Sequence, residues 1–271
     1  MVARPITFLS DYGHADEFAG VCRAVIARIA PGATVIDLTH GIARHAIDQG
    51  AAVLANALPF APPGVHLAVV DPGVGSPRRA LAVRVAEDDR VLVGPDNGLL
   101  WPSIERFGGV AEAVDVSLSP FRLEPISATF HGRDVFAPVA ARIALGAALG
   151  EAGEPADADS LVRLASPAPA IDSGRAICHV VSVDGYGNVV LDLTARLLPE
   201  TGLRPGGPLI VEASDTSHDA VFGRAFADVP DGRLLLYEDS NRSFALALNR
   251  GSAAGALGLA PGDEVILRPA E

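Results

Sequence analysis

The spacing of apolar residues changes once along this chain, and the change divides it into two regions of different fold class. Up to about residue 149, short apolar runs alternate with segments in which apolar residues recur every three or four positions. Strands that alternate with helices predict an α/β domain with a mostly parallel, layered sheet. From residue 175 onward the helical spacing disappears. Short strand-like runs separated by Gly and Pro then predict a small antiparallel barrel or sandwich.

A segment of different composition joins the two regions. Residues 151–173 are rich in Ala, Pro, Asp and Ser and lack regular spacing, which is typical of a linker. We therefore expect an α/β domain over residues 1–150 and a β-domain over residues 174–271. The predicted strands of the first domain are 6–9, 34–38, 65–70, 81–85, 90–93 and 113–116, and its predicted helices are 16–29, 47–58, 99–107 and 134–149. The predicted strands of the second domain are 176–183, 188–193, 208–211, 233–237, 244–248 and 264–267.

The charge of the chain argues against two classes of partner. The formal net charge is −12 at pH 7, and the chain contains no lysine. Since no basic stripe is present to neutralise phosphates, we expect no nucleic-acid partner. The same acidity disfavours binding to anionic membranes. The lack of lysine also excludes Schiff-base catalysis and a lysine-bearing phosphate loop.

Cysteine usage and the apolar stretches predict a cytoplasmic location. Cys22 and Cys178 are far apart, and neither belongs to a CxxC pair, so we do not expect a disulfide framework. The first residues are strand-like and do not have the pattern of a signal peptide. The longest weakly polar stretch, residues 51–70, is interrupted by three prolines, so we expect helix, turn and strand there and no membrane span.

Ionisable side chains follow the predicted strands of the first domain at their carboxyl ends. Asp11 follows the first strand, Asp71 follows the third, and His131 precedes the last helix. Ligands of open α/β sheets bind at this edge, so we expect these side chains to lie near Arg78, which comes shortly after Asp71. Each residue also has a structural interpretation. Asp71 begins an Asp-Pro-Gly turn, Asp11 fits an Asx turn, and His131 suits a structural hydrogen bond, while Arg78 could be a surface residue.

Two other kinds of site could use some of these residues. Gly73 and Gly75 form a Gly-x-Gly pattern, but Arg78 stands where a dinucleotide fingerprint has its third glycine, so the signal for NAD binding is weak. Metal binding is an open alternative, although the candidate ligands show no recognised spacing. They are His14, Asp16, His40, His45, Asp71 and His131.

The second domain contributes a compact polar motif, Asp184-Gly185-Tyr186-Gly187-Asn188. One interpretation is a plain hairpin turn. The other is a binding element in which Asp184 accepts hydrogen bonds from an amine and the amide of Asn188 contacts a base. Tyr237, Ser240 and Asn249 lie near a later pair of predicted strands and could add polar contacts.

Five motifs, in this order, resemble those of the S-adenosyl-L-methionine (SAM) hydroxide adenosyltransferases, the relatives of the fluorinase and chlorinase enzymes. The motifs are Ser10-Asp11-Tyr12-Gly13; Asp37-Leu38-Thr39-His40; Val70-Asp71-Pro72-Gly73-Val74-Gly75 with Arg78; Thr129-Phe130-His131-Gly132-Arg133-Asp134; and Asp184-Gly185-Tyr186-Gly187-Asn188. The resemblance spans nearly the whole chain. It implies an α/β N-terminal domain, an all-β C-terminal barrel, and a homotrimer with active sites between subunits.

The resemblance also implies a reaction and the residues that carry it. Water attacks C5′ of the ribose of SAM and methionine leaves, giving adenosine and L-methionine with no metal or redox cofactor. The matching catalytic residues are Asp71, Arg78 and His131. The matching substrate-binding residues are Asp11, Phe130, Asp184, Asn188, Tyr237, Ser240, Leu248 and Asn249. Because the sulfonium is already a good leaving group, the difficulty lies in activating a weak nucleophile.

Two departures from the relatives bear on the choice of reaction. The halogenating relatives carry tyrosines where this chain has Asp71 and His131 and lack the matching arginine, which disfavours a halide because a carboxylate repels an anion. Relatives commonly have glutamate where Ala245 stands, so one contact to the nucleoside is absent. Three alternatives remain open at this point: a nucleoside- or SAM-binding protein without turnover, a SAM-dependent halogenase that makes 5′-chloroadenosine, and a metallohydrolase.

Overall fold

A computed structural model of the protein describes residues 3–164 and 168–270. The chain divides into two compact units, Met1–Leu164 and Ala165–Glu271. Residues 165–167 of the expected linker lie outside the described residues. No helix among the described residues has the length and apolar character that crossing a membrane requires.

The first unit contains seven strands and five α-helices within its described residues. The strands are β1 (Ile6–Ser10), β2 (Val35–Thr39), β3 (Val65–Val69), β4 (Ala80–Val85), β5 (Val91–Pro95), β6 (Val110–Asp115) and β7 (Glu154–Pro155). The helices are α1 (Phe18–Ile29), α2 (Ile47–Ala57), α3 (Trp101–Arg106), α4 (Ala137–Ala144) and α5 (Leu149–Ala152). A π-helical turn, Gly132–Phe136, leads into α4, and short 3-10 turns occupy Leu58–Phe60 and Ala158–Ser160.

The sheet of the first unit is mixed, with strand order β2-β1-β3-β5-β4-β6-β7. The strands β2, β1, β3 and β5 pair in parallel, whereas β4, β6 and β7 join by antiparallel pairing. Every residue of β1, β3 and β5 is buried, as expected for strands covered on both faces. One apolar cluster packs the sheet against α1 and α4, and another packs it against α2 and α3. The α/β prediction is confirmed, and the antiparallel strands extend one side of the sheet.

The last predicted helix of this unit, over residues 134–149, is not a single helix in the structure. The sequence predicts Asp134 as its N-cap and Gly150 as its stop, and neither residue has that role. Asp134 lies inside the π-helical turn, where its carboxylate accepts hydrogen bonds from Arg133 and from the backbone N–H of Ser127. Helix α4 ends at Ala144, and Gly146 adopts a φ of 101°, which lets the chain turn away. Gly150 is instead inside the separate short helix α5.

The second unit is a closed β-barrel. Its strands are β8 (Ala170–Asp172), β9 (Arg175–Val183), β10 (Val189–Leu191), β11 (Pro208–Ala213), β12 (Thr216–Phe222), β13 (Leu234–Glu238), β14 (Phe244–Leu248) and β15 (Glu264–Pro269). The order β10-β14-β13-β12-β11-β15-β9 closes by pairing of β9 with β10, and β8 adds to β9 outside the ring. Among the described strands of this second unit, only the β12–β13 pair is parallel. Closure removes free strand edges, and the barrel prediction is confirmed.

Two strands and one α-helix of the barrel unit have no counterpart in the sequence prediction, and one of these strands, β8, lies within the expected linker. Strand β12 carries the polar residues TSHD before its apolar end, so the strand signal is short. Helix α6 (Ala253–Leu257) is only one turn long, too short to show a helical period. Ser252 accepts a hydrogen bond from the Gly255 N–H at its start, and Gly258 ends it with a φ of 66°. The remaining short helical segments are 3-10 turns at Leu198–Thr201 and Phe226–Asp228.

Candidate active site

A cavity of about 360 Å³ opens in the first unit beside the loops that follow β1 and β3. These two strands are neighbours and run parallel, so their carboxyl ends bring Asp11 and Asp71 to one edge of the sheet. The lining residues are Asp11, Tyr12, Asp16, Phe18, Arg44, His45, Asp71, Val74, Thr129, His131 and Gly132. Three of the predicted site residues therefore share one cavity wall.

Arg78 and Asp71 form a closely paired, largely buried ion pair at this cavity. The Nε of Arg78 donates to Oδ1 of Asp71 at 2.9 Å, and Nη2 of Arg78 donates to Oδ2 of the same carboxylate. Only 10% of the Arg78 side chain and 6% of the Asp71 side chain are exposed. The two-point contact fixes the plane of the guanidinium and balances its charge within the protein.

His131 completes the cluster through the same guanidinium. Nη2 of Arg78 lies 3.0 Å from Nδ1 of His131. Because an arginine nitrogen can only donate, Nδ1 of His131 accepts this bond, and the neutral ring carries its proton on Nε2. Burial, followed by the positive charge of Arg78, lowers the pKa of His131 below its usual value. The ring therefore stays neutral at pH 7.

Two features hold the loop between Asp71 and Arg78 in place. They are backbone hydrogen bonds within the loop and close packing against the segment that precedes His131. Val74 N–H donates to Asp71 C=O, and Ser76 N–H donates to Gly73 C=O. Gly75 has a φ of 80°, and a Cβ at this position would lie 2.6 Å from the carbonyl oxygen of Ala128. Glycine is required here by both the backbone angle and the space.

A second hydrogen-bond network holds the loop that carries Asp11. Oδ2 of Asp11 accepts a 3.0 Å hydrogen bond from the backbone N–H of His45. Next to it, Ser10 Oγ lies 2.7 Å from Nδ1 of the buried His40, and Gly13 N–H donates to the His40 carbonyl at 2.7 Å. Nε2 of His40 lies 3.1 Å from Asp37 but is not aligned for a hydrogen bond. The loop is thus tied to the segment after β2 at three points.

Phe130 supports the cavity from behind. It does not line the cavity but packs against Phe18 and Tyr12, with ring centroids 5.1 Å and 5.8 Å away. The guanidinium carbon of Arg133 lies 5.1 Å from the centroid of the Phe130 ring on the other side. Phe18 and Tyr12 are lining residues, so Phe130 sets the position of the aromatic wall.

The second unit has a cavity of its own, of about 470 Å³. It is lined by Tyr186, Asn188, Phe226, Leu248, Asn249, Arg250 and Gly251. Asn188, Leu248 and Asn249 are three of the residues predicted to bind substrate. The side-chain amide of Asn249 already makes one hydrogen bond within the protein, because its Nδ2 donates to the Val229 carbonyl at 2.8 Å.

Asp184 organises the turn that presents Asn188. Oδ1 of Asp184 accepts from the N–H groups of Tyr186 and Asn188 at 2.8 Å and 2.9 Å, and Oδ2 accepts from Nδ2 of Asn188 at 2.7 Å. The structure shows the turn, and contact of Asp184 and Asn188 with a ligand stays a prediction. Asp184 builds the turn, and the turn aims the Asn188 side chain at the cavity with its amide oxygen unpaired within the described residues.

Tyr237 and Ser240 do not line this cavity. The Tyr237 ring packs on Phe226, a lining residue, at 5.2 Å between centroids. Burial, followed by the charges of Asp184 and Asp239, raises the pKa of Tyr237 to about 12. Ser240 is exposed in the turn between β13 and β14. Of these two residues, only Tyr237 is held against the cavity in this unit.

Both units match one protein family. Residues 6–153 match the SAM hydroxide adenosyltransferase N-terminal domain, and residues 178–266 match the C-terminal domain of the same family. This chain belongs to the SAM hydroxide adenosyltransferases. The resemblance seen in the five sequence motifs is thereby confirmed.

The relatives of this chain differ in the reaction that they are named for. A Salinispora tropica protein named (R)-S-adenosyl-L-methionine hydrolase is 45% identical over 260 residues, 96% of each chain. A fluorinase from Actinoplanes is 28% identical, with 92% of each chain covered. The crystal structure of an uncharacterized conserved protein from Thermotoga maritima is 34% identical and matches with a TM-score of 0.91 over 97% of this chain and 99% of that one. The protein named as a hydrolase is therefore much more similar in sequence to this chain than the fluorinase is.

The described residues of this chain do not contain the cluster of ligands that the metal-binding alternative requires. Among residues 3–164 and 168–270, no group of three or more His, Cys, Asp or Glu side chains is arranged to hold a metal ion. Asp71 is taken up by Arg78, and His40 by Ser10. These two candidate ligands are therefore held by other side chains of the same unit.

Several lining residues were not among the predicted catalytic or substrate-binding residues, although Asp16 and His45 were named as candidate metal ligands. In the first cavity of the adenosyltransferase they are Tyr12, Asp16, Phe18, Arg44, His45, Val74, Thr129 and Gly132, and in the second they are Tyr186, Phe226, Arg250 and Gly251. Tyr12, Thr129, Gly132 and Tyr186 stand inside the quoted motifs, so their position was a usable signal. Arg44 and His45 lie in a loop without regular spacing, and only the fold brings them to the cavity.

Proposed function

We propose that this protein hydrolyses S-adenosyl-L-methionine to adenosine and L-methionine. The single observation that carries the proposal is the cluster of Asp71, Arg78 and His131 at a cavity that also contains Asp11. The 45% identical relative named as a hydrolase supports the same reaction. A protein that only bound nucleosides would have no use for a buried guanidinium held between a carboxylate and an imidazole.

The reaction is a displacement at the ribose. The oxygen of water forms a bond to C5′, the C5′–S bond breaks, and its electron pair becomes a lone pair of the methionine thioether. The proton lost by water passes to a carboxylate and then to solvent. The positively charged sulfonium needs no acid to leave, so catalysis acts on the nucleophile and on its alignment with C5′.

The tautomer of His131 determines which ring nitrogen can donate a hydrogen bond to the attacking water. Since Nδ1 of His131 accepts from Arg78, the Nε2–H is the part of the ring free to donate to the oxygen of the attacking water. Arg78 and His131 then stabilise the developing hydroxide, and the Asp71 carboxylate accepts the proton. Asp71 also offsets the charge of Arg78, which would otherwise repel a cationic substrate.

The remaining predicted contacts are proposed by residue. Asp11 binds the ribose hydroxyls, with Phe130 supporting the aromatic wall. Asn188 contacts adenine, and Asp184 and Ser240 hold the methionine end. Tyr237, Leu248 and Asn249 complete the substrate contacts. We further propose a homotrimer with active sites between subunits, a cytoplasmic location, and a reaction that requires no metal or other cofactor.

Direct product analysis tests the proposal. The purified protein is incubated with SAM, and adenosine and methionine are quantified by chromatography, in parallel with and without EDTA and with chloride at high concentration. We expect the two products in equal amounts, unaffected by EDTA. Formation of 5′-chloroadenosine in place of adenosine would favour the halogenase, whereas tight adenosine binding without any product would favour a binding protein.

A further inference from the structure

The hydroxyl of Tyr12 is an unassigned polar group in the wall of the first cavity. Tyr12 lines this cavity together with Asp71 and His131. We propose that Tyr12 is a further catalytic residue, whose O–H donates a hydrogen bond to the oxygen of the attacking water. This inference rests on the proposed hydrolysis and adds a third donor beside Arg78 and His131.

The hydroxyl is free to bind a ligand. Within the described residues, no backbone or side-chain group makes a hydrogen bond to the Tyr12 oxygen, although the ring is largely buried. Tyr12 lines the first cavity, so its unpaired hydroxyl can take a partner there. A polar atom of a buried side chain that faces open space normally finds a partner there.

The ring that carries the hydroxyl is held rigidly. Its centroid lies 6.5 Å from Phe8, 5.9 Å from Phe18 and 5.8 Å from Phe130, with edge-on contacts to Phe8 and Phe130. Its backbone N–H donates to Ser10 Oγ at 3.3 Å. An aromatic ring fixed on three sides places its hydroxyl in advance, which is what an electrostatic contribution to catalysis requires.

The hydroxyl points to the chain segment that carries His131. A Cβ added to Gly132 would lie 2.0 Å from the Tyr12 oxygen and 3.0 Å from the ring carbon bearing it. No residue other than glycine fits beside this oxygen. Because Gly132 has no side chain, the Tyr12 hydroxyl can lie close to the segment that carries His131.

The hydroxyl remains a donor over the working pH range. Burial raises the pKa of Tyr12 well above its usual value, and the neighbouring Cys22, Asp11 and Asp71 raise it further. A neutral phenol donates its proton in a hydrogen bond without adding charge. This suits a site that must stabilise a developing hydroxide and still accept a cationic substrate.

Tyr12→Phe tests the inference because it removes only the oxygen and keeps the ring. We expect kcat for adenosine formation to fall about 100-fold, the scale for loss of one preorganised donor, with KM and the affinity for adenosine close to wild type. The melting temperature is measured alongside, and it should change little. A variant with wild-type kcat, or one in which only KM rises, overturns the inference.

Gly132→Ala gives an independent readout through a double-mutant cycle. Its Cβ would displace the hydroxyl, so we expect it to lower kcat in the wild-type background and to cost much less in the Tyr12→Phe background. Equal losses in both backgrounds contradict the assigned contact. Wild-type protein that forms no adenosine overturns the proposed hydrolysis itself, whereas active wild type with an unaltered Tyr12→Phe variant overturns only this inference.

Discussion

Arg78 is the residue on which the cluster is built, because its guanidinium contacts both other members. We expect Arg78→Ala to reduce kcat by about 100-fold or more, while calorimetry still detects adenosine binding. The change leaves the Asp71 carboxylate largely buried without its partner, which costs about 3–5 kcal/mol of stability in comparable cases. Arg78→Lys keeps the charge but loses the two-point contact, and should remain strongly impaired. Normal turnover in either variant would remove Arg78 from the mechanism.

Protonation of His131 should determine how the activity falls at low pH. Burial and Arg78 lower its pKa below 6.5, so the neutral ring persists to lower pH than in a free histidine. Protonation on Nδ1 would break the contact with Arg78. Activity should therefore fall only as the pH drops through this depressed pKa, and kcat should be flat from there to pH 8. His131→Gln should lower kcat and abolish this acid limb; an unchanged limb in the variant would assign it to another group.

At the scale of elements, the loop between β3 and β4 and the chain before the π-helical turn must fit together for the cluster to form. Gly75→Ala would place a Cβ 2.6 Å from the Ala128 carbonyl as well as straining a φ of 80°. Gly109→Ala is the matched control, with a φ of 92° and no atom within 4 Å of its Cβ, so it carries only the strain of about 1 kcal/mol.

We expect Gly75→Ala to lower both the melting temperature and kcat, and Gly109→Ala to lower the melting temperature alone. The comparison separates the backbone strain from the displacement of the catalytic loop. Equal kcat in the two variants would show that the fit between the two segments does not control the chemistry. Thermal denaturation and steady-state kinetics on the same preparations give both quantities.

The elements that were predictable from sequence are those with a strong local signal. β1 and β3 are mostly apolar, and an aspartate follows each of them within two residues, which was enough to expect Asp11 and Asp71 at one edge of the sheet. The π-helical turn was not predictable, because Asp134 stands where the sequence predicts a helix cap. In the structure its carboxylate accepts hydrogen bonds from Arg133 and Ser127 instead. Contacts such as that between Tyr12 and Gly132 join residues far apart in the chain, so no local pattern contains them.

At the scale of the whole molecule, the change from helical to strand spacing predicted an α/β unit and a β unit, and the structure contains both. The strand signals alone left a barrel and a sandwich open, because the ring needs β12, whose first four residues are polar, and only the resemblance to the family implied the barrel. The proposed substrate contacts fall in both units, and the proposed homotrimer assigns each active site to two subunits.

Complementation of inactive subunits tests this assembly. Arg78→Ala changes the first unit, and Asn188→Ala changes the second. We expect each variant alone to be nearly inactive, and co-expression of the two to restore part of the activity, because some sites then receive an intact unit from each chain. Light scattering should give three times the chain mass of 27.9 kDa. A monomer, or a mixture without recovered activity, would contradict sites shared between subunits.

The most direct test of the account is the source of the oxygen in the product. SAM is converted in water enriched in ¹⁸O, and the adenosine is analysed by mass spectrometry with fragmentation of the ribose. The account predicts one ¹⁸O atom, located on C5′, and none in the methionine. Adenosine without the label, or label at any other carbon, would contradict attack by water at C5′.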